Sequence, residues 1–306
     1  MENEKTLRLL FPQWQGGGDP SYMFGARLLA WLAPETDGPF EEVNVAEPDG
    51  KPLPVVEGIL ARDVVLDQIR DARSRIDRHQ PDRIVVLGGD CGVDLAPFAY
   101  LNERYGGDLA VLWIDAHSDL FSSKVFPNSH AHVLGSLLGQ GDPEFLNAVK
   151  TPIKPGKALI AGWRKLPDKY SELQQFEDDL AERMQVQRVG PEELAADSEP
   201  VLKWLRATGA RHVAVHFDLD VLDATLFRSL TFSRPGAVAP TDDNIQAGRM
   251  TLSQVVRLLT DVSREVDVVG LGITEHMPWD AMALRDALAK LPLIGRTVSQ
   301  TVSSQL

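Results

Sequence analysis

The chain is short of sulfur, of positive charge and of long apolar runs, and each shortage excludes something. Cys91 is the single cysteine among 306 residues. Neither an internal disulfide nor a multi-cysteine zinc site can be built from it. Lys and Arg number 31 against 44 Asp and Glu, giving a formal net charge of −13. That acid excess argues against nucleic-acid binding and against a polybasic membrane patch. It is compatible with a small cationic substrate. No apolar run reaches the about 18 residues of a transmembrane helix. The opening MENEKTLRLLFPQW lacks the basic and apolar regions of a signal peptide. The cytoplasm is therefore the expected compartment. No Gly/Ser linker, internal repeat or shift of composition divides the chain, so one domain over 1–306 is expected, with a polar, frayed tail at 297–306.

What is present is an alternation. Continuous apolar runs recur at Leu7–Phe11, Arg83–Gly88, Leu109–Asp115, Lys157–Ala161, Gln185–Val189, His212–Asp218 and Asp267–Ile273. Unbroken runs of this kind suit strands buried on both faces. Between them, Ala61–His79 places Val64, Val65, Ile69, Ala72 and Ile76 at helical spacing. Thr251–Val262 does the same with Leu252, Val255, Val256 and Leu259, and Asp280–Leu291 closes the series. Gly92–Tyr105 reads as a further helix, ended by Gly106–Gly107. The class is α/β, a parallel sheet covered by helices. Two connections, Phe121–Ala131 and Ala224–Met250, are too long for simple turns, and such loops often form the rim of a site.

Ligands in open α/β sheets bind beyond the carboxyl ends of the strands. Four of those ends carry polar blocks: Gly88–Cys91 (GGDC), Asp115–Asp119 (DAHSD), His216–Asp223 (HFDLDVLD) and Gly270–Pro278 (GLGITEHMP). In extended chain, Asp115, His117 and Asp119 share a face, as do Asp218 and Asp220. Such groups are costly to bury together unless cations lie among them. Oxygen and imidazole donors with net negative charge suit Mn²⁺, Zn²⁺ or a similar ion, and there are enough carboxylates for two.

These four blocks, in this order and spacing, resemble the signatures of the ureohydrolases, the family of arginase, agmatinase and formimidoylglutamase. The resemblance runs from about Leu7 to Leu291. It implies a three-layer α/β/α arginase-like fold with a central, mostly parallel eight-stranded sheet. It implies two divalent ions, Mn²⁺ first, sharing a bridging hydroxide that attacks a C–N bond of a linear guanidino or amidino compound and releases urea or formamide. By position, Asp115 and Asp218 match the bridging carboxylates, His117 and Asp220 the other ligands of one ion, and Asp119 a ligand of the second. Glu275 matches the carboxylate that clamps the substrate guanidinium, and His130 the proton-shuttling histidine. A homo-oligomer, trimer or hexamer, is expected on the same ground.

The sequence departs from the family in two ways. Cys91 stands where the family has a metal-ligating histidine. Three readings stay open: a thiolate ligand favoured by a helix N-terminus, which would tilt the site toward Zn²⁺ or Fe²⁺; a weak or missing first ion; or a thiol packed under the helix. The positions that read the amino-acid end of arginine are also changed. Phe121 and Phe126 replace polar residues near Asn128, and Lys165 and Pro167 replace an acidic pair after Arg164. Such a pocket should reject free arginine and suggests a substrate tail that is apolar, or acidic and met by Arg164 and Lys165. His132, His276 and Trp163 are expected at the same mouth, and His212 and His216 are read as structural. The competing function is a catalytically impaired relative acting as a binding or scaffold protein.

Overall fold

The continuous apolar runs become the strands of one sheet. The structure, a computed structural model, describes residues 5–236, 248–291 and 293. The expected tail at 297–306, and 237–247 within the second long connection, lie outside the described residues. In chain order the strands are β1 (Thr6–Phe11), β2 (Phe40–Glu42), β3 (Val55–Val56), β4 (Ile59–Leu60), β5 (Arg83–Gly88), β6 (Leu109–Ile114), β7 (Ala158–Ala161), β8 (Gln187–Val189), β9 (His212–Asp218) and β10 (Asp267–Thr274). The α-helices are α1 (Ser21–Leu32), α2 (Arg62–His79), α3 (Leu95–Arg104), α4 (Val133–Leu137), α5 (Pro143–Asn147), α6 (Ser171–Met184), α7 (Glu199–Thr208), α8 (Leu252–Glu265) and α9 (Trp279–Leu288).

Eight strands pair in the order β2-β1-β5-β10-β9-β6-β7-β8. Every pairing in that sheet is parallel, and β3 with β4 forms a separate antiparallel hairpin. The central strand β6 shows why the run is unbroken. Leu109, Val111 and Trp113 pack into one core with residues of α2, α3 and α6. Ala110, Leu112 and Ile114 pack into a second core with residues of α7 and α8. Alternate side chains thus serve opposite faces, and both faces are dry. This is the three-layer α/β/α arrangement. Among the described residues no helix is long and apolar enough to cross a membrane.

The helices deviate from the expected patterns in detail. In α2, Val65, Ile69, Ala72 and Ile76 are buried, but Val64 is 38% exposed. Helix α8 buries Val255, Leu258 and Val262, and leaves Leu252 and Val256 in solvent. Its start is fixed by a capping box, in which Thr251 and Gln254 satisfy each other's backbone amides. The helix expected over Gly92–Tyr105 divides into a 3₁₀ turn at Cys91–Asp94 and then α3. Gly106 and Gly107 follow it with positive φ. Strand β2 (FEE) has no apolar run to announce it, because it is a short, partly exposed edge.

Helix α1 lies against the loop that leaves β10. A Cβ on Gly25 would sit 1.7 Å from the His276 carbonyl oxygen, so this close approach requires glycine. His276 Nδ1 donates to the Gly25 carbonyl at 3.0 Å, which ties its buried ring to α1 instead of to the mouth of the site. Helix propensity alone would make Gly25→Ala stabilising by up to about 1 kcal/mol. Overpacking should reverse the sign and cost about 3 kcal/mol. Chemical denaturation checks this, and an unchanged or raised midpoint contradicts the close approach.

Candidate metal centre and active site

Sheet order assembles the site. Strands β5, β10, β9 and β6 are consecutive neighbours at the centre of the sheet. Cys91 follows β5, Glu275 follows β10, Asp218 ends β9 and Asp115 follows β6. All four blocks therefore meet at one edge.

Their convergence comes from turns, and not from extended alternation as the sequence suggested. Asp115 Oδ1 accepts from the His117 backbone amide at 2.7 Å. Asp218 Oδ1 accepts from the Asp220 amide at 2.7 Å. Each aspartate thus bends the chain immediately beyond its strand by bonding the backbone two residues on. Asp119 and Glu275 adopt left-handed backbone with φ of 49° and 63°. For residues with a Cβ this costs about 1–3 kcal/mol each, and such strain gathers at functional sites.

The side chains then touch. His117 Nδ1 is 3.0 Å from Asp220 Oδ2 and 3.4 Å from Asp115 Oδ1. Cys91 Sγ donates to Asp218 Oδ2 at 2.9 Å and lies 3.5 Å from Glu275 Oε1. His130 Nδ1 donates to Glu275 Oε1 at 3.1 Å, and Tyr22 Oη donates to the same oxygen at 2.9 Å. Asp119 is buried and its Oδ2 has no partner; Asp220 Oδ1 is likewise buried and unpartnered.

Electrostatics show the cost of this crowding. Burial, then the charges of neighbouring carboxylates, push Asp119 and Asp218 well above the usual carboxylate range. Burial raises Asp220 to about 7 although His117 opposes it. Burial alone would lower the pKa of His117, but Asp220 and Asp115 overcome it and hold the imidazole well above its ordinary value. For His130 burial again opposes, and the Glu275 bond lifts the pKa to about 9. The expectation of an easily ionised Cys91 is corrected. The thiol sits in a 3₁₀ turn instead of at an α-helix N-terminus, and burial followed by Asp218 and Glu275 drives its pKa well up.

Other residues named from the sequence are placed differently. Phe121 packs on Phe176, with ring centroids 6.3 Å apart, and joins the core. Phe126 is 43% exposed and stacks beside His130, with ring centroids 6.2 Å apart. Asn128 Nδ2 donates to the Gly17 carbonyl at 2.8 Å, a bond that ties two loops. His132 is buried, and its Nε2 donates to the Phe126 carbonyl. Arg164 and Lys165 line a cavity of about 360 Å³ with Trp163, Pro167, Arg188 and Glu192. None of the clustered acids or histidines is in that lining.

Sequence reasoning missed the supports. Trp113 Nε1 donates to Asp115 Oδ2 at 3.0 Å. Asp90 accepts from the amides of Gly17 and Gly92 and so holds the GGDC turn. Tyr22 lies in no motif and bonds a residue 253 positions away. Only Asp90 carried a signal, as part of GGDC.

The donor set fits divalent ions. One ligand atom each from Asp115, His117 and Asp220 lie within 4.8 Å of one another, as do those of Cys91, Asp115, His216 and Asp218. Unpartnered buried oxygens and carboxylates held above their usual range are what a cation between them would relieve. Adding Mn²⁺ or Zn²⁺ to chelator-treated protein should therefore raise the unfolding free energy, by about 2.7 kcal/mol at a hundredfold excess over Kd. Identical melting curves with and without the ions would remove the metal centre.

Comparison with known proteins agrees with this geometry. The sequence model of the Arginase family matches residues 20–282. An arginase of Staphylococcus aureus is 27% identical over 165 residues, covering 51% of this chain and 54% of that protein. The match thus spans about half the length of that relative. An N(1)-aminopropylagmatine ureohydrolase of Thermus thermophilus is 27% identical over 281 residues, 89% of this chain and 80% of that protein. Among solved structures, Entamoeba histolytica arginase in complex with L-ornithine has a TM-score of 0.72 at 16% identity, over 91% of this chain and 92% of that one. Arginase from Bacillus caldovelox has a TM-score of 0.69 at 17% identity, over 95% and 99%. These structures share the fold, and the family match includes all four strand-end blocks: the chain belongs to the Arginase family.

Proposed function

We propose that the protein is a binuclear-metal hydrolase that cleaves a C–N bond of a linear guanidino or amidino compound other than free arginine. The observation that carries this reading is the position of Glu275. Its carboxylate is buried at the edge of the donor cluster and fixed by Tyr22 and His130. Asp115, His117, Asp218 and Asp220 would hold one ion, and Cys91 and Asp119, with Asp115 and Asp218 shared, the other. Bound divalent ions supply Lewis acidity and lower the pKa of water so that a nucleophile exists near neutral pH.

The remaining work falls to side chains. A guanidinium is resonance-stabilised and must be held in place to react. Glu275 accepts two of its N–H groups in a charge-assisted, bidentate pair. Tyr22 keeps that carboxylate aimed by donating to Oε1. His130 carries its proton on Nδ1 while paired with Glu275. An incoming guanidinium competes for the same carboxylate, which loosens the pair and moves the imidazole pKa back toward its ordinary range. The proton is then available to the leaving amine.

The tail of the substrate follows from what surrounds His130. Phe126 offers an exposed apolar face there. Arg164 and Lys165 face a different cavity, which favours an apolar tail over an acidic one. A zwitterionic end would lose its hydrogen bonds in such a place.

A panel of guanidines and formimino compounds, read by urea or formamide release with metal content measured in parallel, tests this. The kcat/KM for arginine should be about a hundredfold or more below that of a guanidine with an apolar tail; arginine as the preferred substrate contradicts the proposal. His130→Asn should lower kcat by about 10²–10⁴-fold with little change in KM. A full rate in that variant would take the proton relay away from His130.

A further inference from the structure

The roles proposed above leave one fully buried ionisable pair without a function. His216 and Asp94 each have no solvent exposure. His216 lies on β9 opposite Trp113 of β6 and Gly272 of β10. Its ring stacks flat on Trp113, with centroids 3.6 Å apart and planes 7° from parallel. Its Nδ1 donates to Asp94 Oδ2 at 2.7 Å. The slot for that carboxylate exists because residue 272 is glycine: a Cβ there would lie 1.9 Å from Asp94 Oδ2. Three neighbouring strands and the GGDC turn thus fix one imidazole in one orientation.

With Nδ1 engaged, Nε2 carries the lone pair, and its contact with Thr274 Oγ1 is a long one of 3.4 Å. One ring nitrogen of His216 lies within 4.8 Å of donor atoms from Cys91, Asp115 and Asp218, and all four residues are buried. Metal–donor bonds of about 2.0–2.3 Å place donors around one ion up to about 4.6 Å apart. A carboxylate behind an imidazole whose other nitrogen faces a donor cluster is the usual setting of a metal-ligating histidine. A purely packing role would not need the expense of burying an imidazole and a further carboxylate beside two more acids, Asp115 and Asp218.

We propose that His216 is a ligand of the site that contains Cys91, with Nε2 as the donor and Asp94 as its positioning residue. The inference rests on the metal-centre reading but not on turnover. Sulfur, nitrogen and carboxylate oxygens from Cys91, His216, Asp115 and Asp218, with Asp119 as a further donor, make a mixed set suited to Zn²⁺.

The test is X-ray absorption fine structure of the full chain loaded with Zn²⁺ alone, with zinc per chain measured by elemental analysis. The expected fit has one sulfur and two imidazoles per two zinc ions, from Cys91, His117 and His216. That imidazole count should persist in His130→Asn and fall by one in His216→Asn. Cys91→Ser should remove the sulfur. Asp94→Asn should keep the ligands and weaken zinc binding at this site by about 10- to 100-fold. One imidazole in the wild-type fit, an imidazole count unchanged by His216→Asn, or a single zinc bound without sulfur overturns the proposal. The wild-type spectrum with the His130→Asn control decides even where His216→Asn fails to fold. Intact ligation without turnover of any guanidine would remove the hydrolase reading and leave this one standing.

Discussion

Negative charge packed at the tips of four adjacent strands is the constraint on which the structure turns. Asp115, Asp119, Asp218, Asp220 and Glu275 are all buried, and Asp115 and Asp218 are fixed by the turns that end their strands. The two imidazoles held toward their charged form, His117 and His130, are not enough to neutralise them. The alternatives are protons, which explains the raised pKa values of Asp119, Asp218 and Asp220, or divalent cations, which match the donor chemistry better. The parallel sheet makes the crowding possible. It points every strand end in one direction, so residues far apart in sequence must meet there.

Around the acids stands a ring of neutral donors with no chemistry of their own. Trp113 holds Asp115, backbone amides hold Asp90 and Asp218, and Tyr22 holds Glu275. The precision of a metal site or a guanidinium clamp depends on such supports as much as on the ligands. Cys91 is the exception. Its thiol bonds Asp218 directly, so the one soft donor and one of the shared carboxylates are already paired.

Much of the fold was legible because central parallel strands, dry on both faces, read as unbroken apolar runs. Strand β2 was not, since Phe40–Glu42 is a partly exposed edge with no such run. Helix α1 has no side-chain cap, and its docking depends on the absence of a Cβ at Gly25. The acids and histidines of the site were legible by type and spacing. Where a side chain points was not: Phe121 packs on Phe176 against the core, and Arg164 and Lys165 line a cavity whose lining includes none of the clustered acids. His216 reads as a strand histidine because what distinguishes it, Asp94 in the slot over Gly272, is contributed by two other strand ends. The ease of ionisation expected for Cys91 failed because burial, and then neighbouring acids invisible in the local sequence, outweigh a short 3₁₀ turn.

The hydrogen bond from Tyr22 to Glu275 joins the two ends of the chain across 253 residues. Contacts of such sequence separation form late, after the intervening strands have found their places. The proposed guanidinium clamp is thus supported in full only when α1 packs against the loop after β10. On the proposed reading, holding a substrate depends on the packing of α1, whereas the strand-end turns of Asp115 and Asp218 that would gather ions do not.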